Sequence, residues 1–457
     1  MNKTLSLPYP ASSFELFGKL RSLALPVLLH SGKAETNLNS RYDILVADPS
    51  TVFRYQQGTL LVEHDDSTQG IKTANPILSL AEFFPINNSP AEQETETDRL
   101  PFCGGFVGYF AYDILQESFG IAVKKSAELT LPSVLAGIYD WAVIVDHQQF
   151  TCTLAAQASV SSTRLKQIET LLNDETKAQA DNFTLGSAFQ SNFSRQAYQN
   201  AFEKIMSYIY AGDCYQVNLS QCFQASCEGD PYEFFARMQA IAAAPFAAYM
   251  EDKQQALMCF SPERFLRVKN KQVITQPIKG TRARHKNKQA DKAALTDLCN
   301  STKDKAENLM IVDLLRNDLG KVCRTGSVQV ESLFEAHSFT NVHHLISTIS
   351  GELKQASDVF SLLNACFPGG SITGTPKLRA MQIIDEVESM PRSVYCGSIV
   401  WIDQAGNMDS NIAIRTLLRD RERLYCWGGG AIVADSDMQL EYQESLDKIA
   451  LFMDALS

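Results

Sequence analysis

The sequence holds 11 cysteines, yet none form a C-x-x-C pair and none stand with histidine at metal-ligating spacing. That excludes a zinc ribbon or a dithiol redox centre. Cys259, Cys366 and Cys426 lie in apolar strings and read as reduced core residues. Excess positive charge is missing too: the net charge is −11, so there is no basic face for a polyanion and no nucleic-acid partner is expected. The one basic run, 282–288, reads as a solvated loop. No apolar run is long enough to cross a bilayer, and the first residues do not read as a signal peptide. The expectation is a cytoplasmic protein without a membrane partner. There is no repeat of fixed period, and the glycine-rich stretches 104–108 and 369–374 fit neither a dinucleotide nor a Walker pattern.

What is present is an ordinary globular composition, 45% hydrophobic and 20% charged over 457 residues, enough to build a large core. Strand-like runs at 27–30, 42–46 and 141–145 mark a first region, 1–154, interrupted by a hydrophilic acidic loop at 87–98. A polar stretch, 155–192, contains one helical segment near 163–172 and reads as a linker. The third region, 193–457, opens with an amphipathic helix that Ser194 can cap, with Tyr198, Ala201, Phe202, Ile205 and Ile209 on one face and Gly212 as its stop. Beyond it strands and helices mix without regular alternation, which predicts an α+β fold.

Chemistry concentrates around Lys279 and Glu263. Residues 264–268 and 272–275 read as two short strands joined at 269–271, so the two side chains flank one hairpin-like unit. A lysine between Ile278 and Gly280 is placed for partial burial, which lowers its pKa and frees the lone pair of a nucleophile. The same burial raises a glutamate toward a proton-donating acid. Taken alone, these residues are more simply a surface lysine on a turn and a glutamate paired to Arg264. The segment 305–319 is a helix with apolar residues on nearly every face, predicted to be buried, and it carries Glu307 and Asp313. Asp313 has Arg316 or Lys305 as a ready partner. In the last helix, Ser436 and Gln439 form a potential capping box, and Glu441, Glu444 and Lys448 fall on one stripe. Glu444 and Lys448 alone are a surface i,i+4 pair; combined with Glu307, the carboxylates suit a hard cation, Mg²⁺, completed by water and substrate.

Three further features point to a small anionic ligand. The Gly369-Gly370 loop runs into a helix with Thr375 at its cap, a place where free N–H groups favour an anion, although taken alone the loop is more simply a tight structural turn. Arg415 lies in the apolar middle of 411–418, where a guanidinium is unusual unless it meets a carboxylate. Gly428, Gly429 and Gly430 let backbone amides approach a ligand. His344, in the strand-like 342–346, is equally a core histidine or a substrate contact.

In order along the chain, Ser261-Pro262-Glu263-Arg264-Phe265, Pro277-Ile278-Lys279-Gly280-Thr281, Ala306-Glu307-Asn308-Leu309-Met310, Pro368-Gly369-Gly370-Ser371-Ile372-Thr373-Gly374, Ile414-Arg415-Thr416 and Tyr442-Gln443-Glu444 with Lys448 resemble the chorismate-utilising enzymes, from about His30 to the end. The resemblance is strongest to the branch that aminates chorismate at C4 for 4-aminobenzoate and folate synthesis. Anthranilate synthases resemble the chain closely but carry alanine at the position of Lys279. Isochorismate and salicylate synthases keep a lysine there and differ around Glu307. The resemblance implies two packed β-sheets flanked by helices, with Mg²⁺ bound by Glu307 and Glu444, Glu441 nearby. It implies carboxylate binding by Arg415, Tyr395, the amides of Gly428–Gly430 and Lys448, and a pocket lined by His344, Thr375, Gly369 and Gly370. Lys279 is implied as the nucleophile and Glu263 as the acid. With no Gly-x-Cys-x-Gly elbow in the sequence, ammonia is expected from a separate glutamine amidotransferase subunit. Ser31, Arg41 and Phe246 match a tryptophan pocket of the family. The competing expectations are an isochorismate, salicylate or anthranilate synthase, or a tryptophan-binding regulatory subunit without activity.

Overall fold

The computed structural model describes residues 2–32, 41–65, 67–87, 100–122, 129–174, 181–339 and 342–456. The acidic loop lies outside these residues from 88 onward. Side-chain alternation decides the architecture. In the strand Trp141–Asp146, Ala142 and Ile144 enter one core while Trp141, Val143 and Val145 enter another. Gln255–Ser261 divides likewise, with Leu257 and Cys259 on one side and Ala256, Met258 and Phe260 on the other. Period two sends successive residues to opposite faces, so apolar runs such as these form strands covered on both sides.

Thirteen of the described strands make one sheet and twelve make the other, with antiparallel pairing throughout. Between the sheets lies a common core in which Phe53, Phe106, Phe265 and Val400 of the second sheet join Leu257, Cys259 and Tyr425 of the first. The outer face of the first sheet is covered by the helices Ser13–Leu20, Ser162–Leu172, Pro231–Ala242 and Met438–Leu456, through Phe17, Ile168, Phe235 and Phe452 among others. This is the α+β arrangement of two packed sheets flanked by helices. Among the described residues no helix is long and apolar enough to cross a membrane.

The three regions read along the sequence share these sheets. Val27–His30 pairs with Phe246–Asp252, and Gly105–Phe110 with Ser398–Asp403. Even the polar stretch contributes Thr184–Leu185 and Gln190–Ser191 to the edge of Gln216–Glu228. Two local expectations are corrected. The helix Thr302–Gly320 is not buried all round: Ile311, Val312, Leu315 and Leu319 are buried, but Leu309 is 45% exposed. Its packed side meets the strands Ile278–Ala283 and Val342–Glu352 and the helix Val359–Cys366, which leaves the opposite side to solvent. The last helix is capped by Asp437, whose Oδ1 accepts from the N–H groups of Gln439 (2.9 Å) and Leu440 (3.1 Å). Ser436 instead donates to Glu441 at 2.7 Å, so the Ser436–Gln439 capping box does not form.

Candidate active site

Lys279 owes its position to a bulge. The strand Ile278–Ala283 slips register against Val342–Glu352 between Ile278 and Thr281, and a bulge re-aims the side chain it carries. Gly280 sits at φ +84°, where a Cβ would meet Asp304 and Leu298 at 3.0 Å, so the turn admits glycine alone without strain. Lys279 is half-buried and its Nζ donates to the Ser371 carbonyl at 3.3 Å. Glu263 follows the strand Gln255–Ser261 and is 6% exposed. Its carboxylate accepts from the Ser371 hydroxyl and from the backbone amide of Ile278. The simpler pairing of Glu263 with Arg264 is not made, because Arg264 binds Asp409 at 2.9 Å.

Electrostatics shifts these two groups in opposite directions. Burial pushes the Glu263 carboxyl up to about 7, against the Ser371 hydroxyl and the cations Lys279 and Lys448. Burial pushes Lys279 down, against the attraction of Glu307, Glu263 and Glu444 and helped by Lys448. A carboxyl that holds its proton more tightly than usual and an ammonium that yields its proton more readily thus both contact Ser371. Ser371, inside the glycine-rich loop, touches both. Its role was not legible in sequence, since only the fold brings residues 263, 279 and 371 together.

Three acids approach from two helices. Glu307 is placed by Thr302–Gly320, with the Lys303 ammonium 4.0 Å away; Glu441 and Glu444 are placed by Met438–Leu456. Burial raises Glu307, and Asp304 and Glu444 add repulsion; burial raises Glu441, and Glu444 again adds to it. At Glu444 burial is outweighed by Lys448, Lys279 and Lys303, and the carboxyl is lowered. The i,i+4 pair is made as well, Lys448 to Glu444 at 2.6 Å, and Lys448 also donates to the Gly429 carbonyl at 2.8 Å. At Gly430 a Cβ would come within 3.1 Å of Glu441 Oε2 and 3.3 Å of Glu444 Oε1, so glycine keeps open the space before both carboxylates. Among the described residues no three His, Cys, Asp or Glu side chains converge into a protein-only metal cage. Mutually repelling carboxylates beside a glycine-made opening fit a hard divalent cation that takes its other ligands from water and substrate. Asp313 is not part of this group, being exposed and paired with Arg316 at 3.0 Å.

Arg415 departs from its expected place within a strand. Met408–Asn411 belongs to the second sheet and Thr416–Asp420 to the first, and Arg415 lies in the crossing between them at φ 51°. Burial lowers its pKa, and no described residue offers its guanidinium an acceptor or counter-charge. His344 does lie on a strand, Val342–Glu352, with Nδ1 2.9 Å from the Thr281 hydroxyl. Burial, then Arg415, lower it to about 4, so it is neutral at pH 7. Tyr395 stacks on Trp427 at 5.9 Å and hydrogen-bonds the Ser220 side chain. Gly428, Gly429 and Gly430 lie on the strand Arg423–Ile432, against the last helix. Gly369 and Gly370 lead into the short turn Gly370–Ile372. Thr375 does not cap the following helix, Lys377–Val387, whose N-cap is Pro376; its buried hydroxyl has no hydrogen-bond partner among the described residues.

The sequence profile of the chorismate binding enzymes matches residues 27–454. The chain belongs to this family. Among its members, aminodeoxychorismate synthase component 1 of Escherichia coli (strain K12) is 41% identical over 438 residues, 95% of this chain and 93% of that protein. Anthranilate synthase component 1 of Aquifex aeolicus is 32% identical, covering 91% of this chain and 86% of that protein. The crystal structure of anthranilate synthase component I from Streptococcus pneumoniae superimposes with a TM-score of 0.78 at 28% identity, over 92% of this chain and 95% of that one. Outside the catalytic region, the three residues matched to a tryptophan pocket of the family all have protein partners. Ser31 donates to Asp43 through its N–H (2.8 Å) and its hydroxyl (3.1 Å), Arg41 binds Asp146 at 2.9 Å, and Phe246 lies 4.8 Å under the Arg264 guanidinium.

Proposed function

We propose that this chorismate-binding enzyme converts chorismate to 4-amino-4-deoxychorismate, in 4-aminobenzoate and folate synthesis, with ammonia supplied by a glutamine amidotransferase subunit. The observation that carries the reading is the half-buried, bulge-held Lys279 facing the buried Glu263 across Ser371. The similarity to aminodeoxychorismate synthase component 1 over nearly the whole chain supports it, and so does the resemblance by which anthranilate synthases have alanine at this position.

In this reading the lone pair of Lys279 forms a bond to C2 of chorismate, both ring double bonds shift in turn, C1=C2 to C1=C6 and C5=C6 to C4=C5, and the C4–O bond breaks. Glu263 gives its proton to the departing hydroxide, which leaves as water. Ammonia then bonds to C4 from its own lone pair, both double bonds shift back, and the C2–N bond breaks to restore the lysine. The Glu263 carboxylate recovers a proton from the new ammonium, so chorismate and ammonia give the aminated product and water. Arg415, the Gly428–Gly430 amides, Tyr395 and Lys448 hold the two carboxylates, while His344, Thr375 and the Gly369-Gly370 loop close the pocket. Glu307 and Glu444, with Glu441 beside them, would hold a Mg²⁺, which would supply charge neutralisation for a substrate carboxylate. The dianion approaches a chain of net charge −11, so these local cations must outweigh the long-range repulsion. Incubation with chorismate, Mg²⁺ and ammonium followed by product analysis tests the reading: 4-amino-4-deoxychorismate supports it, and anthranilate, isochorismate or salicylate as the main product overturns it.

A further inference from the structure

Below the glycine-rich loop lies an ion pair that no step above uses. Arg392 is 1% exposed and Glu388 is 4% exposed. They meet through two parallel bonds, Nε to Oε2 at 2.9 Å and Nη2 to Oε1 at 2.7 Å, with the Tyr112 ring 4.7 Å from the guanidinium carbon. Taking both charges out of water carries a desolvation cost that their attraction need not repay, so stability alone is a weak reason for the pair. Its remaining bonds reach backbone. Arg392 Nη1 donates to the Ile372 carbonyl at 2.7 Å and Nη2 to the Asn218 carbonyl at 3.0 Å, while Glu388 accepts from the Ser220 N–H at 2.8 Å.

Those contacts border the reacting pair. Ile372 follows Ser371, whose carbonyl accepts from Lys279 at 3.3 Å and from the Asn218 side chain at 3.2 Å, and whose hydroxyl binds Glu263. The Asn218 N–H in turn donates to the Thr373 carbonyl at 2.9 Å. The planar guanidinium therefore sets the spacing between the loop 371–373 and the strand Gln216–Glu228, and through Ser371 the placement of Lys279 and Glu263. A lysine at 392 has a single donor centre and cannot span both carbonyls and both carboxylate oxygens in one plane.

We propose that Arg392, braced by Glu388, is a positioning residue for the Lys279–Glu263 pair, holding Ser371 where it contacts both. The inference rests on the amination reading of that site. The test measures kcat and KM for chorismate, at saturating Mg²⁺ and ammonium, in Arg392→Lys and, without disturbing the ion pair, in Asn218→Ala. Thermal unfolding is followed in parallel. Misplacement of reacting groups by a fraction of an ångström predicts a fall in kcat of roughly ten- to a hundredfold in Arg392→Lys and a smaller fall in Asn218→Ala. KM should stay within about threefold in both, because Arg415 and the glycine backbone are untouched. A merely structural pair predicts instead a lower melting temperature with wild-type kcat in the folded protein, and that result overturns the proposal. If Arg392→Lys does not fold, Asn218→Ala decides, and an unchanged kcat there is equally fatal. Absence of aminated product from the wild-type chain refutes the amination reading and is distinguishable from either outcome.

Discussion

Replacing Arg415 by methionine should move activity and stability in opposite directions. Burial pushes the guanidinium pKa down and no described residue compensates it. In the free protein, removing this unpaired cation should stabilise the fold by roughly 1–2 kcal/mol, the scale of an unsatisfied polar group restored to an apolar one. The left-handed backbone at φ 51° is kept by methionine, so its strain cancels from the comparison. In the proposed function Arg415 holds a chorismate carboxylate, so with chorismate bound the same change would remove one side of a charge-assisted pair, a loss of about 2–4 kcal/mol. That corresponds to roughly a 30- to 700-fold rise in KM at one decade per 1.4 kcal/mol. Initial rates against chorismate concentration read the second effect, and thermal unfolding with and without chorismate reads both. The variant should melt higher than wild type when empty and show little of the shift that chorismate produces in wild type. An unchanged KM together with a lower melting temperature would refute the reasoning, because the guanidinium would then be serving the fold.

Glu307→Gln and Glu444→Gln should each lower turnover by at least about a hundredfold with near-native circular dichroism, because a site with few carboxylates loses a large part of its charge with either one. Normal activity of both at limiting Mg²⁺ removes the metal assignment. Incubated with chorismate and Mg²⁺ but no ammonia, the protein should carry a mass adduct that peptide mapping places on Lys279. Lys279→Ala should form none, and full amination by that variant defeats the covalent route. Burial raises the Glu263 carboxyl from its ordinary value of 4.5 to about 7 in the folded protein, so its contribution to stability is complete below pH 4.5 and is lost as the pH rises through 7. Relative to wild type, Glu263→Gln should therefore gain up to roughly 3 kcal/mol between pH 4.5 and 8 in urea unfolding, at 1.36 kcal/mol per pKa unit. An equal difference at pH 5 and pH 8 contradicts the raised pKa. The catalytic counterpart is an alkaline decline of kcat/KM near pH 7, as the acid loses its proton.

Much of the local structure was legible before the fold because it resides in local pattern. Residues 264–269 and 272–275 form the two strands flanked by Glu263 and Lys279. The amphipathic segment opened by Ser194 forms the helix Arg195–Tyr210, and Ser194 Oγ accepts from the Ala197 N–H at 3.1 Å. Periodicity and capping act over a few residues, and so they show in sequence. Three things were decided only in three dimensions. Apolar residues of 305–319 could be counted but not assigned to a face, because the neighbours that bury Ile311 and leave Leu309 exposed come from distant segments. The stretch 411–418 read as one strand, yet the chain changes sheets inside it and turns Arg415 out at the crossing. The Arg392–Glu388 pair looks in sequence like any i,i+4 contact, and only its burial beneath the Ser371 loop joins it to the site. Sequence by itself determined which residues carry charge, nucleophilicity and flexibility. Tertiary packing decided which of them are desolvated, since burial depends on what the rest of the chain brings against each group, and desolvation is what raises Glu263 and lowers Lys279.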